Sequence, residues 1–270
     1  MSDHTTVQPS AGDVPTRIGV HGAAGRMGLM VCAAVAMDPE LELVAAVDPA
    51  REGAVVEGVT IARELRAFAD SGCQVVVDFT VADAARVALP WLAMHGIHAV
   101  VGTTGFDDAD VSEFRRVFGD GPAHAVIAPN FAISAVLMMR FAEIAAPFFD
   151  TAEIIEFHHD AKVDAPSGTA MSTAERMAAA SDRWAEDPTR HEVLPGARGG
   201  EGPGGVRVHA VRMRGMTAHQ EVVLGTIGQG LTIRQDSYDR ASFMPGVLMA
   251  CKQVHKHPGL TIGLDRYLGL

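Results

Sequence analysis

The sequence predicts an α/β fold in which a doubly wound parallel sheet is followed by a second α+β domain with an open mixed sheet. Three observations lead to this prediction: apolar runs without alternation in the first half, helical patterns between those runs, and strand-like segments in succession in the second half. Runs without alternation are typical of strands buried on both faces of a parallel sheet. Strands that alternate with helices indicate right-handed crossovers in a doubly wound unit.

Four predicted strands and four predicted helices alternate in the first half of the chain. The later three strands are apolar runs that end at Asp48, Asp78 and Gly102. Ligands bind at the carboxyl ends of the strands in open parallel sheets, so we expect a site along this edge. The predicted strands cover 18–20, 41–47, 75–77 and 99–101, and the predicted helices cover 29–37, 62–70, 82–95 and 108–118.

The pattern changes after residue 130. A Gly-Gln-Gly sequence at 228–230 indicates a hairpin between the last two predicted strands. Strands in succession suggest a separate sheet with helices on one face, and a subunit interface would cover its other face. The predicted segments are a Met-rich helix at 133–146, a strand at 151–157, a helix at 169–180, a loop at 182–205, strands at 206–213, 219–227 and 231–236, and a last helix at about 240–255.

The composition argues against nucleic acid and anionic membranes as partners. The 270 residues include 33 acidic and 22 basic side chains, a formal net charge of −11, and no block of five Lys or Arg. A protein that neutralises phosphates is expected to carry the opposite sign. Because the sequence has no apolar stretch long enough to span a membrane, and its first sixteen residues resemble a disordered leader rather than a signal peptide, we predict a cytosolic protein.

The cysteines support the same location. Cys32, Cys73 and Cys251 are odd in number, far apart and without any C-x-x-C pairing. We therefore expect neither a disulfide framework nor a zinc site, and each thiol is expected to fill a small apolar space.

A glycine-rich segment follows the first predicted strand and opens the first predicted helix. Residues 22–28 read Gly-Ala-Ala-Gly-Arg-Met-Gly, a variant of the dinucleotide fingerprint whose N–H groups can receive a diphosphate. An ordinary turn is the alternative. Asp48 lies twenty positions after Gly28 at the end of the second strand, where a carboxylate can accept hydrogen bonds from the adenosine ribose. Together the two features favour a dinucleotide site.

The choice between NAD and NADP stays open. The carboxylate of Asp48 favours a free 2′-hydroxyl and repels a 2′-phosphate. Pro49 offers no cation, whereas Arg26 and Arg51 are possible partners for a phosphate. Arg51 could equally be a solvated loop charge. We expect NAD to be used at least as well as NADP.

Two further loops lie at the predicted carboxyl edge of the sheet. Gly102-Thr103-Thr104-Gly105 follows one strand, and Asp78-Phe79-Thr80 follows the preceding one. A tight turn with hydroxyl caps would also explain the first of them. We expect both loops to line a crevice on the cofactor side.

The chemically richest segment covers residues 156–169. It contains His158, His159, Lys162 and a hydroxylated helix start at Ser167-Gly168-Thr169. Imidazole is the side chain best suited to proton transfer near neutral pH. On an ideal strand the two histidines would point to opposite faces, so one should transfer the proton while the other binds or orients. The helix start, with Lys162 as a counter-charge, would suit a carboxylate.

This segment has two plainer interpretations. The histidines could be a metal pair, but they lack the helical i, i+4 spacing and a third ligand, so we predict no metal. Ser167 could be a simple N-cap, which is compatible with anion binding. Other histidines, including His95, His98 and His255, are expected to be structural or exposed.

The motifs in this order and spacing resemble the 4-hydroxy-tetrahydrodipicolinate reductase (dihydrodipicolinate reductase) family of bacterial lysine and diaminopimelate biosynthesis. The resemblance runs from about residue 17 to the C-terminus. Its most specific part is E-x-H-H-x-x-K-x-D-A-P-S-G-T at 156–169, and its other parts are 22–28, 78–80, 102–105 and 128–131.

The resemblance implies a division of the chain into two working parts. NADH or NADPH would bind a Rossmann-like domain at 17–130, which residues 240–270 rejoin. A cyclic dicarboxylate would bind the substrate-binding and oligomerisation domain at 131–239, and closure would bring the two ligands together. The family's usual homotetramer, built through the C-terminal sheets, agrees with the uncovered sheet face.

The resemblance also implies residue roles. His158 would be the proton donor and Lys162 its catalytic companion, while His159, Gly168 and Thr169 would hold the substrate. The expected cofactor contacts are Gly22, Ala23, Ala24, Gly25, Arg26, Met27, Asp48, Gly102, Thr103, Thr104, Ala128, Pro129, Asn130 and Phe131. The segment from Arg212 to His219 matches the family pattern only loosely, so no substrate contact is assigned there.

The implied reaction is the NAD(P)H-dependent reduction of 4-hydroxy-tetrahydrodipicolinate to tetrahydrodipicolinate. Hydride from the nicotinamide would enter a conjugated carbon–nitrogen ring, and His158 would supply the proton. One alternative is a non-catalytic NAD(P)-sensing regulator, which would have no need for His158, Lys162 and an anion seat together. A phosphorylating semialdehyde dehydrogenase would need a nucleophilic cysteine, whereas Cys251 falls in an apolar helix.

Overall fold

The computed structural model describes residues 14–119 and 121–270. Most of the predicted leader therefore lies outside the described residues, but its predicted end at Thr16 is wrong, because Thr16 is the first residue of a strand. Among the residues that the structure describes, no helix is both long enough and apolar enough to cross a membrane.

The chain divides into two compact units. The first contains the described residues up to Val101 together with Gly105–Ala125 and Cys251–Leu260, and the second contains Gly102–Thr104, Val126–Ala250 and Thr261–Leu270. The functional domain bounds expected from the sequence stay a prediction, since the units are defined by packing alone.

The first half of the chain alternates strands and helices as the apolar runs predicted, except that two short unpredicted strands follow the second strand before the next α-helix. Its elements are β1 (Thr16–His21), α1 (Arg26–Met37), β2 (Leu41–Val47), β3 (Val55–Val56), β4 (Val59–Ala62), α2 (Arg66–Asp70), β5 (Val75–Asp78), α3 (Ala82–Met94), β6 (His98–Val101), α4 (Asp108–Gly119) and β7 (Ala125–Ile127).

A mainly parallel, Rossmann-like sheet is built from these strands. Its order is β13-β7-β6-β5-β1-β2-β4-β3, where β13 is Leu260–Ile262. Neighbours from β6 through β5, β1 and β2 to β4 run parallel, and β3 pairs antiparallel with β4. Strand β5 is buried at every position because both faces of the sheet are covered. The loops after β1, β2 and β5 therefore emerge at one edge.

The predicted helix at 62–70 is wrong in its first half. Residues up to Ala62 belong to the β3–β4 hairpin, and α2 begins only at Arg66. The hairpin turns at Glu57 and Gly58, which have φ values of 44° and 80°. Positive φ at both turn positions matches the twist of a two-residue hairpin. Glutamate rarely adopts this conformation, so the turn is hard to recognise from the residue types.

The second unit contains a five-stranded mixed sheet. Its order is β12-β11-β8-β10-β9, with β8 and β10 parallel and the other pairs antiparallel. The remaining elements are α5 (Ile133–Ala145), β8 (Thr151–His158), α6 (Gly168–Ala180), β9 (Gly200–Glu201), β10 (Arg207–Arg212), β11 (Ala218–Thr226), β12 (Gln229–Ser237) and α7 (Met244–Gln253).

The two faces of strand β8 differ in burial. Ala152, Ile154 and Glu156 alternate with less buried residues and lie within the unit's core, where α6 packs on β8. The predicted β11–β12 hairpin is present.

Three details of the second unit differ from prediction. The predicted loop at 182–205 contains the short strand β9. The predicted last helix is divided into a 3₁₀ turn at Arg240–Phe243, the α-helix α7, and a second 3₁₀ turn at Val254–Lys256. Strand β8 ends at His158, so His159 lies beyond it, and the expectation that the two histidines occupy opposite faces of one strand is wrong.

Candidate active site

The glycine-rich segment forms a tight turn between β1 and α1. Gly22 has a φ of 80°, and a Cβ there would lie 2.7 Å from the carbonyl oxygen of Phe79. A Cβ on Gly28 would lie 2.0 Å from the carbonyl oxygen of Gly22, so only glycine lets the helix approach the turn this closely. These two residues fix the path of the loop between strand and helix.

The first turn of α1 is suited to an anion. Its N-cap, Gly25, supplies no side-chain hydrogen bond to the helix, and the neighbouring Arg26 is exposed. Amide N–H groups at a helix start that have no side-chain cap attract negative charge. The segment therefore fits the diphosphate of a dinucleotide.

Asp48 lies at the end of β2, beside this turn. Its carboxylate accepts hydrogen bonds from the backbone N–H of Ala24 and of Ala50, each at 3.0 Å. The side chain thus holds the glycine-rich turn against the end of β2. It is only half buried, so lone pairs remain for a ribose hydroxyl. Arg51 is exposed at the last position of the short turn that Asp48 caps.

The second predicted group of cofactor residues belongs to the second unit. Thr103, Ala128 and Phe131 are at most 4% exposed. Asn130 accepts a hydrogen bond from the N–H of Ala132 at 2.9 Å and donates one to Thr169 Oγ1 at 3.2 Å. Asn130 therefore contacts a residue that the sequence assigned to the substrate.

A cavity of about 690 Å³ in the second unit brings many of the predicted residues together. A cavity of this size is ample for a small ring compound. His159 is not among the residues around it, and its role in holding substrate stays a prediction. The predicted residues that line the cavity are Thr104, Pro129, Asn130, His158, Lys162, Gly168 and Thr169.

His158 is held by a buried carboxylate. Its Nδ1 contacts Oε2 of Glu156, a side chain with no exposed surface, while the His158 side chain keeps 16% exposure. Burial raises the pKa of Glu156, but hydrogen bonds from His158 and Arg212 outweigh that effect, so the pKa lies below its usual value. The imidazole is therefore fixed at Nδ1, and no hydrogen bond to Nε2 is found among the described residues.

Lys162 reaches the same cavity from the loop after β8. Its Nζ lies 2.7 Å from both carboxylate oxygens of Asp164, which is largely exposed. The hydrogen bond from Lys162 lowers the pKa of Asp164. Because its only carboxylate partner among the described residues is exposed, the ammonium group can exchange this partner for a ligand carboxylate.

The start of α6 supplies a second anion-binding element. Ser167 is the N-cap and its Oγ accepts a hydrogen bond from the N–H of Ala170 at 3.2 Å. A Cβ at Gly168 would have no neighbour within 4 Å, so the backbone here is open to the cavity. The N–H groups of the first turn and the Lys162 ammonium thus offer two places for carboxylates in one cavity.

Sequence reasoning missed two residues that organise the site. Glu156 entered only as part of the motif, and Arg212 received no role, yet Arg212 binds Glu156 through both terminal nitrogens at 3.0 and 2.9 Å. The i, i+2 spacing of Glu156 and His158 on a strand was a usable signal, because such residues share a face. Nothing local indicated Arg212.

Neither a metal site nor a reactive thiol is found among residues 14–119 and 121–270. No group of three or more His, Cys, Asp or Glu side chains there could hold a metal ion. Cys32, Cys73 and Cys251 are buried, and burial raises the pKa of each thiol to about 12. These thiols are poor nucleophiles, which argues against the semialdehyde dehydrogenase alternative.

Comparisons with known proteins cover nearly the whole chain and give one family. Family models described as "Dihydrodipicolinate reductase, N-terminus" and "Dihydrodipicolinate reductase, C-terminus" match residues 16–131 and 134–268. The 4-hydroxy-tetrahydrodipicolinate reductases of Nocardia farcinica and Thermobifida fusca are each 52% identical, over 94% of this chain and 99% of theirs. A dipicolinate-bound dihydrodipicolinate reductase structure from Paenisporosarcina sp. TG-14 aligns with a TM-score of 0.86 at 34% identity, covering 94% of this chain and 99% of that one.

Proposed function

The chain belongs to the dihydrodipicolinate reductase family, and from this premise we propose that the cavity around His158 is where it reduces 4-hydroxy-tetrahydrodipicolinate to tetrahydrodipicolinate. The protein is an oxidoreductase of the diaminopimelate route to lysine. The observation that carries the proposed site is the meeting of His158, Lys162 and the start of α6 in one cavity.

The cofactor is NADH or NADPH, which supplies a hydride from its nicotinamide when bound. Residues 22–27 and Asp48 hold its diphosphate and adenosine ribose in this proposal. The uncapped first turn of α1 and the half-buried carboxylate of Asp48 support these roles. The loops 102–104 and 128–131 complete the cofactor contacts.

The substrate is a ring with two carboxylates. One carboxylate is bound by the N–H groups of Gly168 and Thr169 at the start of α6, and Lys162 pairs with the other in place of Asp164. Both elements line the cavity, and each presents positive charge or N–H groups to it. His159 keeps the substrate-binding role that the resemblance implies, although it does not line the cavity.

His158 is the proton donor. The 4-hydroxyl of the substrate would leave as water to give the conjugated carbon–nitrogen ring, and a ring carbon would accept the hydride. The displaced electron pair of the ring would then take up a proton. Nδ1 of His158 is occupied by Glu156, so Nε2 is the nitrogen that gives up the proton, and the imidazolium becomes neutral imidazole. Solvent then restores the proton.

The arrangement of parts is proposed as follows. Residues 17–130, rejoined by 240–270, bind the cofactor, and residues 131–239 bind the substrate and form the subunit contacts. The outer face of the second sheet, on which Val223 is 38% exposed and Ile155 and Phe157 are half-buried, supports a homotetramer built through this sheet. The enzyme works in the cytoplasm.

The test is NADH oxidation in the presence of 4-hydroxy-tetrahydrodipicolinate. His158→Gln is expected to lower kcat by about 10²- to 10⁴-fold while the Kd for NADH stays nearly unchanged. His209→Gln is the matched control, because His209 also binds a carboxylate in the same sheet, at 2.7 Å from Glu153, but does not line the cavity.

Two results would contradict this assignment. Full turnover in the folded His158→Gln variant would remove His158 as the proton donor. An equal loss of NADH binding would show that the substitution acts on cofactor binding instead.

A further inference from the structure

We propose that Glu156 is a positioning residue for the reduction: with Arg212, it holds the His158 imidazole in the one tautomer and orientation that lets Nε2 donate the proton. This inference rests on the proposed role of His158. Glu156 has no exposed surface, so it acts through the imidazole and not on the substrate.

The first observation is that every oxygen of the Glu156 carboxylate is occupied by donors that the fold supplies. Oε2 contacts Nδ1 of His158 and accepts from Arg212 Nη1 at 3.0 Å. Oε1 accepts from Arg212 Nη2 at 2.9 Å and from the N–H of Ser167 at 3.1 Å. A carboxylate held by four hydrogen-bond contacts cannot rotate away from the imidazole.

Arg212 connects this carboxylate to the loop that carries Lys162. It lies on β10 directly opposite His158 in the parallel pairing with β8. Besides its bidentate contact with Glu156, its Nη2 donates to the carbonyl oxygen of Asp164 at 2.7 Å. The same guanidinium therefore fixes the carboxylate behind His158 and the backbone two residues beyond Lys162.

Charge explains why the arrangement selects a tautomer. An ionised carboxylate can only accept hydrogen bonds, so the imidazole must present N–H at Nδ1. The carboxylate also stabilises the imidazolium, which is the form able to act as an acid. Arg212 in turn compensates the negative charge of the buried Glu156.

The charged and titratable groups around His158 come from five elements, one of which is α6, whose Glu175 and Arg176 line the same cavity. Glu156 shares its strand, and Arg212 comes from β10. Lys162 lines the same cavity from the loop after β8, and His219 on β11 borders a smaller adjoining recess together with His158. Only the contact with Glu156 engages Nδ1 among the described hydrogen bonds.

The same strand offers a matched comparison. Glu153 also binds a histidine and an arginine, His209 at 2.7 Å and Arg198 at 2.7 Å. Its side chain is 35% exposed, whereas Glu156 has no exposure, and it borders a different recess. Glu153→Gln therefore removes an equivalent charge without touching the active-site cavity.

The experiment compares Glu156→Gln with wild type and with Glu153→Gln in NADH-oxidation kinetics over a range of pH. Glu156→Gln is expected to lower kcat by about 10- to 100-fold, which is less than the loss of His158 itself. The KM and the Kd for NADH should stay within about threefold of wild type. The basic limb of the kcat profile should move to lower pH, because the imidazolium loses its anionic partner. Glu153→Gln should match wild type in kcat and in its pH profile.

A double variant separates positioning from a general structural effect. In a His158→Gln background, Glu156→Gln should change kcat by no more than about twofold, since a residue that acts through His158 has nothing left to position. A structural role would instead lower kcat by the same factor in both backgrounds and would overturn the proposal.

A measurement on the wild-type enzyme covers the case in which Glu156→Gln does not fold. The ¹⁵N spectrum of histidine-labelled protein, with His158 assigned by its loss in His158→Gln, should show a protonated Nδ1 in the neutral ring. A neutral ring protonated at Nε2 would overturn the inference, as would unchanged kcat and pH profile in folded Glu156→Gln. If His158→Gln keeps full turnover, the proposed function fails first, so the two failures are distinguishable.

Discussion

Replacing Gly28 by alanine should push the first turn of α1 away from the glycine-rich turn that precedes it. We assign the binding of the cofactor diphosphate to this region. The added Cβ would lie 2.0 Å from the carbonyl oxygen of Gly22 and 2.8 Å from Cα of Ala23. Ordinary van der Waals contact begins at 3.4 Å, so the turn and the first residues of α1 must separate by about 1.4 Å. Both obstacles are backbone atoms, which cannot move aside as a flexible side chain can.

The magnitude follows from the cost of overpacking. Inserting a methyl group into a close-packed site typically costs about 1–3 kcal/mol, and a contact against backbone belongs at the upper end. A loss of about 3 kcal/mol would lower Tm by about 6–12 °C in a chain of this size. Because the shift moves the N–H groups that receive the diphosphate, the Kd for NADH should rise at least about tenfold.

The assay is differential scanning calorimetry with and without NADH, together with NADH titration by fluorescence. Gly119→Ala is the control, since Gly119 is exposed at the end of α4 and an added Cβ meets nothing within 4 Å. Its Tm and NADH affinity should match wild type. A Gly28→Ala enzyme with wild-type Tm and wild-type NADH affinity would refute the reasoning about this turn.

Two further predictions concern acid stability and substrate binding. The pKa of His98 is lowered to about 4, mainly by burial and then by the nearby charges of His124 and His255. Nδ1 of His98 accepts a hydrogen bond from the backbone N–H of His124 at 2.9 Å. The folded protein thus favours the neutral ring. The contribution of His98 to the free energy of unfolding is therefore complete above about pH 6.5 and is lost as the pH falls toward 4. Because solvent screens the half-buried ring, we expect the free energy of unfolding measured with urea to fall by only about 1–2 kcal/mol over this pH range. His98→Asn should make the free energy of unfolding less dependent on pH in this range. Lys162→Met should raise the KM for the dicarboxylate by about 10- to 100-fold in steady-state kinetics with NADH affinity unchanged, and an unaltered KM would exclude a charge contact there.

The long buried strands were predictable because burial on both faces leaves a continuous apolar run. The runs at 41–47 and 75–77 correspond to β2 and β5 almost residue for residue. The strands β7 and β13 were not predicted, since their pairing depends on chain segments far apart in sequence. Position in the sheet, not local composition, makes them strands.

The sequence predicted the site residues that lie close together along the chain, but not those that the fold brings together from distant positions. His158, Lys162 and the start of α6 lie within one motif, and the structure places them around one cavity. Arg212 is separated from Glu156 by 56 positions, and only the parallel pairing of β8 with β10 brings the two together. His159 is a different case, because its substrate-binding role rests on the resemblance alone, and the structure places it just beyond β8 and outside the residues that line the cavity.

The most direct test of the proposed chemistry is a crystal structure of this enzyme with NADH and pyridine-2,6-dicarboxylate, a planar ring that carries two carboxylates. We predict that one carboxylate lies within about 3.2 Å of the N–H groups of Gly168 and Thr169, and that Lys162 Nζ has exchanged Asp164 for the other. Nε2 of His158 should face the ring and lie within hydrogen-bond distance of the ring atom nearest to it. A dicarboxylate bound outside this cavity, or an imidazole turned away from a ring bound within it, would contradict the proposed chemistry.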